Sequence, residues 1–116
     1  AWNGSTETSR PLTAGAALLQ GSEEVRVLTV RGATVSGPDG EQLTQHLKAS
    51  GITAEAKMIE RGGHGIGEAI LQEAEQFQAD LIIKGAYTQS RLRQLVFGGA
   101  TSELINQASQ PMLMSH

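Results

Sequence analysis

Two hydrophobic rhythms alternate along the chain. Residues 25–30, "VRVLTV", set β-branched residues at alternate positions, the two-residue period of a strand. Ahead of them, Leu12, Ala16, Leu18 and Leu19 fall at helical spacing within residues 5–20. Ser5 is suited to cap that helix, and Pro11 makes its first turns irregular. "VSGPDG" (35–40) is a turn cluster, after which Leu43 and Leu47 form a short apolar stripe that Gly51 can close as a helix stop. "ITAEAKMIE" (52–60) alternates again, with Ile52, Ala54, Ala56 and Met58 on one face and Thr53, Glu55 and Lys57 on the other. Such charge on one face predicts an edge or half-covered strand. "ERGGHGIG" (60–67) is a flexible link. Ile66, Ile70, Ala74 and Phe77 then recur at i, i+4, i+8 and i+11 and predict an amphipathic helix. "ADLIIKG" (79–85) reads as a short strand buried on both faces. Leu104, Ile105 and Ala108 mark a last helix. "PMLM" (111–114) marks a last strand, with Pro111 fit only for its start.

Helix and strand in repeated alternation predict a parallel sheet with helices packed on its faces. The first helix has no complete strand before it, and "AW" at the start reads as the last step of one. The expectation is a single domain, residues 1–116, that is a C-terminal fragment trimmed at its beginning. No internal repeat, low-complexity run or linker divides it.

Composition narrows the classes. The chain has 116 residues, 39% hydrophobic and 18% charged, in the range of an ordinary globular domain able to bury a core. A net charge of −3 argues against general nucleic-acid binding. No stretch approaches the roughly 20 apolar residues of a membrane-spanning helix, and the polar start carries no signal-peptide pattern. The absence of cysteine excludes thiol chemistry and fits a cytoplasmic setting.

The charges are unevenly spread. Between Leu81 and Ser102 there is no acid, while Lys84, Arg91 and Arg93 lie inside. Within that segment, "GAYTQSRLRQLVFGGAT" (85–101) opens on a glycine after a strand and closes on a glycine pair before a helix. Backbone N–H groups at such a helix start favour anions. Val30 ends the second strand at the carboxyl edge, where ligands bind in open parallel sheets.

With "AWNGS" (1–5), "GEAILQEAEQFQADLIIKGAY" (67–87), "RLRQLVFGGAT" (91–101) and "QPMLM" (110–114), the sequence resembles the universal stress protein family, most closely the second half of its tandem members. The resemblance implies an α/β fold with a doubly wound, open, parallel five-stranded sheet of order 3-2-1-4-5, the first strand largely absent here. It places 52–60 and 111–115 at opposite edges. ATP-binding members are similar in a motif of glycine, two residues, glycine, nine residues, then glycine and serine or threonine. Gly85 takes its first position, Thr88 stands at the second glycine, Gly98 takes the third, and Gly99 replaces the hydroxyl residue, with Thr101 two positions on. Asn3 stands where binders carry an aspartate. The β-branched Thr88 resists close approach of backbone to phosphate, whereas Gly98, Gly99, Ala100 and Thr101 keep an N–H cluster. Asn3 keeps hydrogen bonding and drops the charge.

Nothing points to catalysis. His46, His64 and His116 lack metal-ligand spacing, and Ser5, Ser36, Ser90 and Ser102 lack a nucleophile context. The expected function is a non-enzymatic stress-response domain with degenerate or weak ATP binding at Asn3, Val30, Gly85, Thr88, Gly98, Gly99, Ala100 and Thr101. The resemblance implies that it acts by pairing through Met112, Leu113 and Met114, as a homodimer or between tandem halves. The alternatives are an ATP-binding regulatory switch with slow hydrolysis and an α/β enzyme such as a nucleotidyl transferase.

Overall fold

The computed structural model describes residues 1–86 and 100–115. Its elements run α1 (Thr6–Ala14), α2 (Ala16–Gln20), β1 (Val25–Val30), α3 (Gly40–Ala49), β2 (Ala54–Ile59), α4 (Ile66–Gln76), β3 (Ile82–Gly85), α5 (Ala100–Gln107) and β4 (Met112–Ser115). The order is the α/β alternation read from the sequence. The described strands form two parallel pairs. β1 pairs β2 from Val25↔Ala54 to Val30↔Ile59, and β3 pairs β4 from Ile82↔Met112 to Gly85↔Ser115.

Helix ends follow local chemistry. Ser5 caps α1, its hydroxyl accepting from the Thr8 N–H at 3.2 Å. The single helix expected over 5–20 is two, because Gly15 interrupts it. A Cβ at Gly15 would lie 2.8 Å from Leu113 Cδ2 and 3.0 Å from the Pro11 carbonyl, so glycine lets α1 lie close on β4. Asp39 and Gln42 form a reciprocal capping box at α3, with bonds of 2.8 and 2.9 Å. Gly51, at φ +84, turns the chain out of that helix as expected.

Two apolar layers sandwich the strands. Trp2, Leu19, Val27, Leu47, Ile52 and Ala54 form one, with Leu12, Leu43 and Ile83 packed against it. Leu28, Val30, Ile70 and Leu104 form the other, with Ala1, Ile66, Met112 and Met114. Odd residues of β1 thus face α1–α3 and even residues face α4 and α5, the alternation of a sheet buried on both sides. One expectation needs correction: Ala56 and Met58 do not make a covered face, since β2 is exposed on both sides from Glu55 to Met58. The last helix forms over Leu104 and Ile105 as expected, with Leu104 fully buried and Ile105 pointing outward at 57% exposure.

Ala1 and Trp2 lie between the strand pairs. The Ala1 nitrogen donates to the Ile83 carbonyl of β3 at 2.6 Å, and the Trp2 N–H donates to the Leu28 carbonyl of β1 at 2.8 Å. The cavity beside them is lined by Val25–Leu28 from β1 and by Ala79 with Leu81–Ile83 leading into and forming β3. Both strands therefore offer their first halves to the same space.

Candidate functional site

Five of the eight candidate residues are described, and two of them end strands. Val30 closes β1, buried in the α4–α5 layer. Gly85 closes β3. Asn3 emerges between these strands directly after Trp2, and Thr101, buried, lies in the first turn of α5. Ala100 opens that helix. Thr88, Gly98 and Gly99 lie outside the described residues, as do Arg91 and Arg93.

Asn3 is held by its own neighbourhood. Its Oδ1 accepts from the Ser5 N–H at 3.0 Å and from the Thr8 hydroxyl at 3.1 Å, and its carbonyl accepts from the Val35 N–H at 2.9 Å. An asparagine carbonyl performs this capping task as an aspartate would. The loop carrying Val35 is fastened further by the Trp2 indole, whose Nε1 donates to the Pro38 carbonyl at 2.8 Å. Gly4, at φ +87, and Gly37 pass so closely that a Cβ on Gly37 would collide with the Gly4 carbonyl.

Gly85 has a packing reason to be glycine. A Cβ there would lie 2.5 Å from the Glu7 carbonyl carbon and 2.6 Å from the Thr8 nitrogen, both backbone atoms of α1. Pro11 has no N–H to give the Glu7 carbonyl, which leaves that side of α1 open to the approach. The space that a ligand would claim beside Gly85 is, on this face, filled by the first turn of α1.

Glu103, not singled out as a site residue from the sequence, ties two helices together. Its carboxylate accepts from the Gly67 N–H at 2.7 Å and the Glu68 N–H at 3.3 Å. α4 has only Gly65 at its N-cap and no side-chain cap of its own, so α5 supplies the anion its first turn favours. A Cβ on Gly65 would strike that carboxylate. An acid in the first turn of one helix and a bare glycine cap on another were the only sequence signals.

Two buried charges lie elsewhere. Glu73 of α4 accepts from Arg26 and Lys57, each at 2.7 Å. Arg26 also pairs with Glu55 and lies 4.1 Å over the Phe77 ring. Burial pushes the Glu73 carboxyl up, but the bonds from Lys57 and Arg26 outweigh it and hold the group below the ordinary carboxylate range. Lys84 of β3 donates to the Gly85 carbonyl at 2.8 Å, and burial lowers its pKa. Among the described residues, no group of three or more His, Asp and Glu side chains is placed to hold a metal, and no helix is long and apolar enough to cross a membrane.

Parallel strand pairs with helices packed against them define an α/β fold. The universal stress protein family model matches residues 4–116. The chain belongs to the universal stress protein family, and as a member it is a stress-response domain. Among curated proteins it is similar to the universal stress protein Slr1230 of Synechocystis, 34% identical over 67 residues. That match covers 58% of this chain and 22% of the relative, so the chain spans a minor part of the relative's length. No solved structure matches it significantly.

Proposed function

We propose that this domain is a non-enzymatic, cytoplasmic stress-response module. It binds adenine nucleotide weakly or in degenerate form and acts by pairing through β4. The observation that supports weak binding is the use of candidate ligand groups within the fold. Asn3 Oδ1 is taken by Ser5 and Thr8, and the open face of Gly85 is taken by the α1 backbone. Thr88 in place of glycine and Gly99 in place of a hydroxyl residue weigh the same way. We further propose the family's five-stranded order 3-2-1-4-5, in which β1 to β4 of this chain take places 2 to 5, so that β2 and β4 are the outer edges. As an edge, β4 offers half-buried Met112, Leu113 and Met114 to an equivalent edge, in a homodimer or between tandem halves.

Calorimetric titration with ATP and magnesium tests the nucleotide reading. The native sequence binds weakly or not at all, and Thr88→Gly with Gly99→Ser improves binding. Submicromolar affinity of the native chain overturns the degenerate site and favours an ATP-dependent switch. Sedimentation of the native chain against Leu113→Lys tests the pairing, which the charge should abolish.

A further inference from the structure

Among the described residues, β2 has a neighbouring strand on one side only. Its register with β1 runs from Val25↔Ala54 to Val30↔Ile59, and Val25 and Arg31 donate to the Thr53 and Ile59 carbonyls. By the parity of a parallel ladder, Thr53, Glu55, Lys57 and Ile59 turn their backbone groups toward β1. Ala54, Ala56 and Met58 turn theirs outward, which sets a row of N–H and C=O groups along the free side. Neither face closes over that row. Every residue from Glu55 to Met58 is exposed, Met58 to 55%.

The side chains along this edge carry a pattern of their own. Glu55 and Lys57 stand on the α4 face, half-exposed, each bonded to a better-buried ion behind it, Glu55 to Arg26 and Lys57 to Glu73. Ala54, Ala56 and Met58 stand on the opposite face. A lone lysine on an edge repels a second strand. Here an acid and a base flank Ala56 symmetrically, so a two-fold rotation exchanges them.

Two copies paired antiparallel through this edge match outward groups with outward groups when centred on residue 55, 56 or 57. Centring on Glu55 sets that acid against itself, and centring on Lys57 does the same to the base. Like charges directly opposite are unfavourable. Centring on Ala56 sets Glu55 of each copy opposite Lys57 of the other. Those are non-hydrogen-bonded positions, with Cα atoms about 4.5 Å apart and side chains at their closest. Ala56 meets Ala56 and Ala54 meets Met58, each pair exchanging backbone bonds.

We propose that the outer edge of β2 is a pairing site for a second copy of this chain, antiparallel and centred on Ala56, with two Glu55–Lys57 ion pairs across the junction. The charges then alternate from Glu73 to Lys57 and on to Glu55 and Arg26 of the other copy, so the ion pairs within each chain are extended rather than replaced. Met58 gains cover over Ala54 of the other copy. The proposal does not rest on pairing through β4, and a chain that uses both edges builds assemblies larger than a dimer.

The test uses this chain with Leu113→Lys, which weakens association through β4, and follows sedimentation and amide hydrogen exchange over a concentration series. A dimer is expected, with exchange at Ala54, Ala56 and Met58 slowing as concentration rises. Glu55 and Lys57, bonded to β1, are protected at every concentration. Glu55→Lys and Lys57→Glu each raise the dimer dissociation constant at least about 10-fold, and an equimolar mixture of the two, which sets opposite charges face to face again, returns it to within about 3-fold. A variant that had merely lost its fold would not recover on mixing. Ala56→Pro removes an outward N–H, spares the bonds to β1, and abolishes the dimer with the circular dichroism unchanged. A monomer at every concentration, a dimer indifferent to both charge changes, or a mixture no better than its components overturns the proposal. Protection of Ala54, Ala56 and Met58 that ignores concentration also overturns it, since the edge is then covered within the chain. If the native and Leu113→Lys chains sediment alike while mixing restores the dimer, the β4 pairing fails and the β2 pairing stands.

Discussion

Glu73, beside β1 and β2, and Lys84, on β3, are buried to nearly the same depth, 6% and 7% exposed. Their surroundings differ. Glu73 is bound by two cations, one of them shared with Glu55 and stacked on Phe77. Among the described residues, Lys84 donates to one backbone carbonyl and has no acid within ion-pair reach. A buried ion is tolerable when partners replace its lost water and is a net cost when a lone carbonyl must do so. One strand pair therefore owes stability and orientation to its charge, and the other is stable despite its charge.

The sharpest way to break this contrast is Glu73→Leu, which leaves Arg26 and Lys57 without their common partner. A loss of about 3 kcal/mol in urea unfolding is expected, and a change under about 1 kcal/mol would remove the contrast. Gly85→Ala, in the other strand pair, forces a methyl into the Glu7 backbone. It should cost about 2 kcal/mol by the same measurement. Lys84→Met has the opposite sign, a gain of about 1–2 kcal/mol, since an ill-satisfied ion gives way to an apolar chain of similar length. Thr29, whose hydroxyl has no partner among the described residues, sharpens the point from the β1 side. Thr29→Val is expected to gain about 1 kcal/mol.

Acid and alkali separate the two charges as well. The Glu73 carboxyl titrates lower in the fold than in the unfolded chain, so its contribution is present above the ordinary carboxylate range. It is lost as pH falls through the folded value, and the gap between native and Glu73→Gln should close there. Lys84 also titrates lower in the fold, but as a base. Between its folded and ordinary pKa the unfolded chain holds the extra proton, so stability rises with pH up to the ordinary lysine value. Lys84→Met should abolish that rise in a pH series of chemical denaturation.

Where a rule concerns neighbours in the chain, the sequence was readable. "VRVLTV" is β1 from its first residue to its last, Ser5 and Gly51 mark helix ends as their types require, and the Ile66–Phe77 stripe is α4 with its C-cap. Partners far apart in the chain were hidden. Glu103 lies 36 residues from the Gly67 N–H it caps. Gly85 looked like a ligand glycine because nothing local reveals that Glu7 lies against it. Alternation placed Ala56 and Met58 on one face but could not show that no layer covers that face. Of the site, Val30 and Gly85 do end strands β1 and β3. Pattern alone could not show that Asn3 and Gly85 are already engaged within the fold.

The crossing of Gly4 and Gly37 makes a single wall of two segments distant in the chain. With the 35–38 loop tied to Asn3 and Trp2, and no room at the crossing for even a methyl group, this wall is finished when folding ends. That wall is therefore built from contacts within the fold, among the described residues, and a substitution at either glycine is expected to disturb both segments at once.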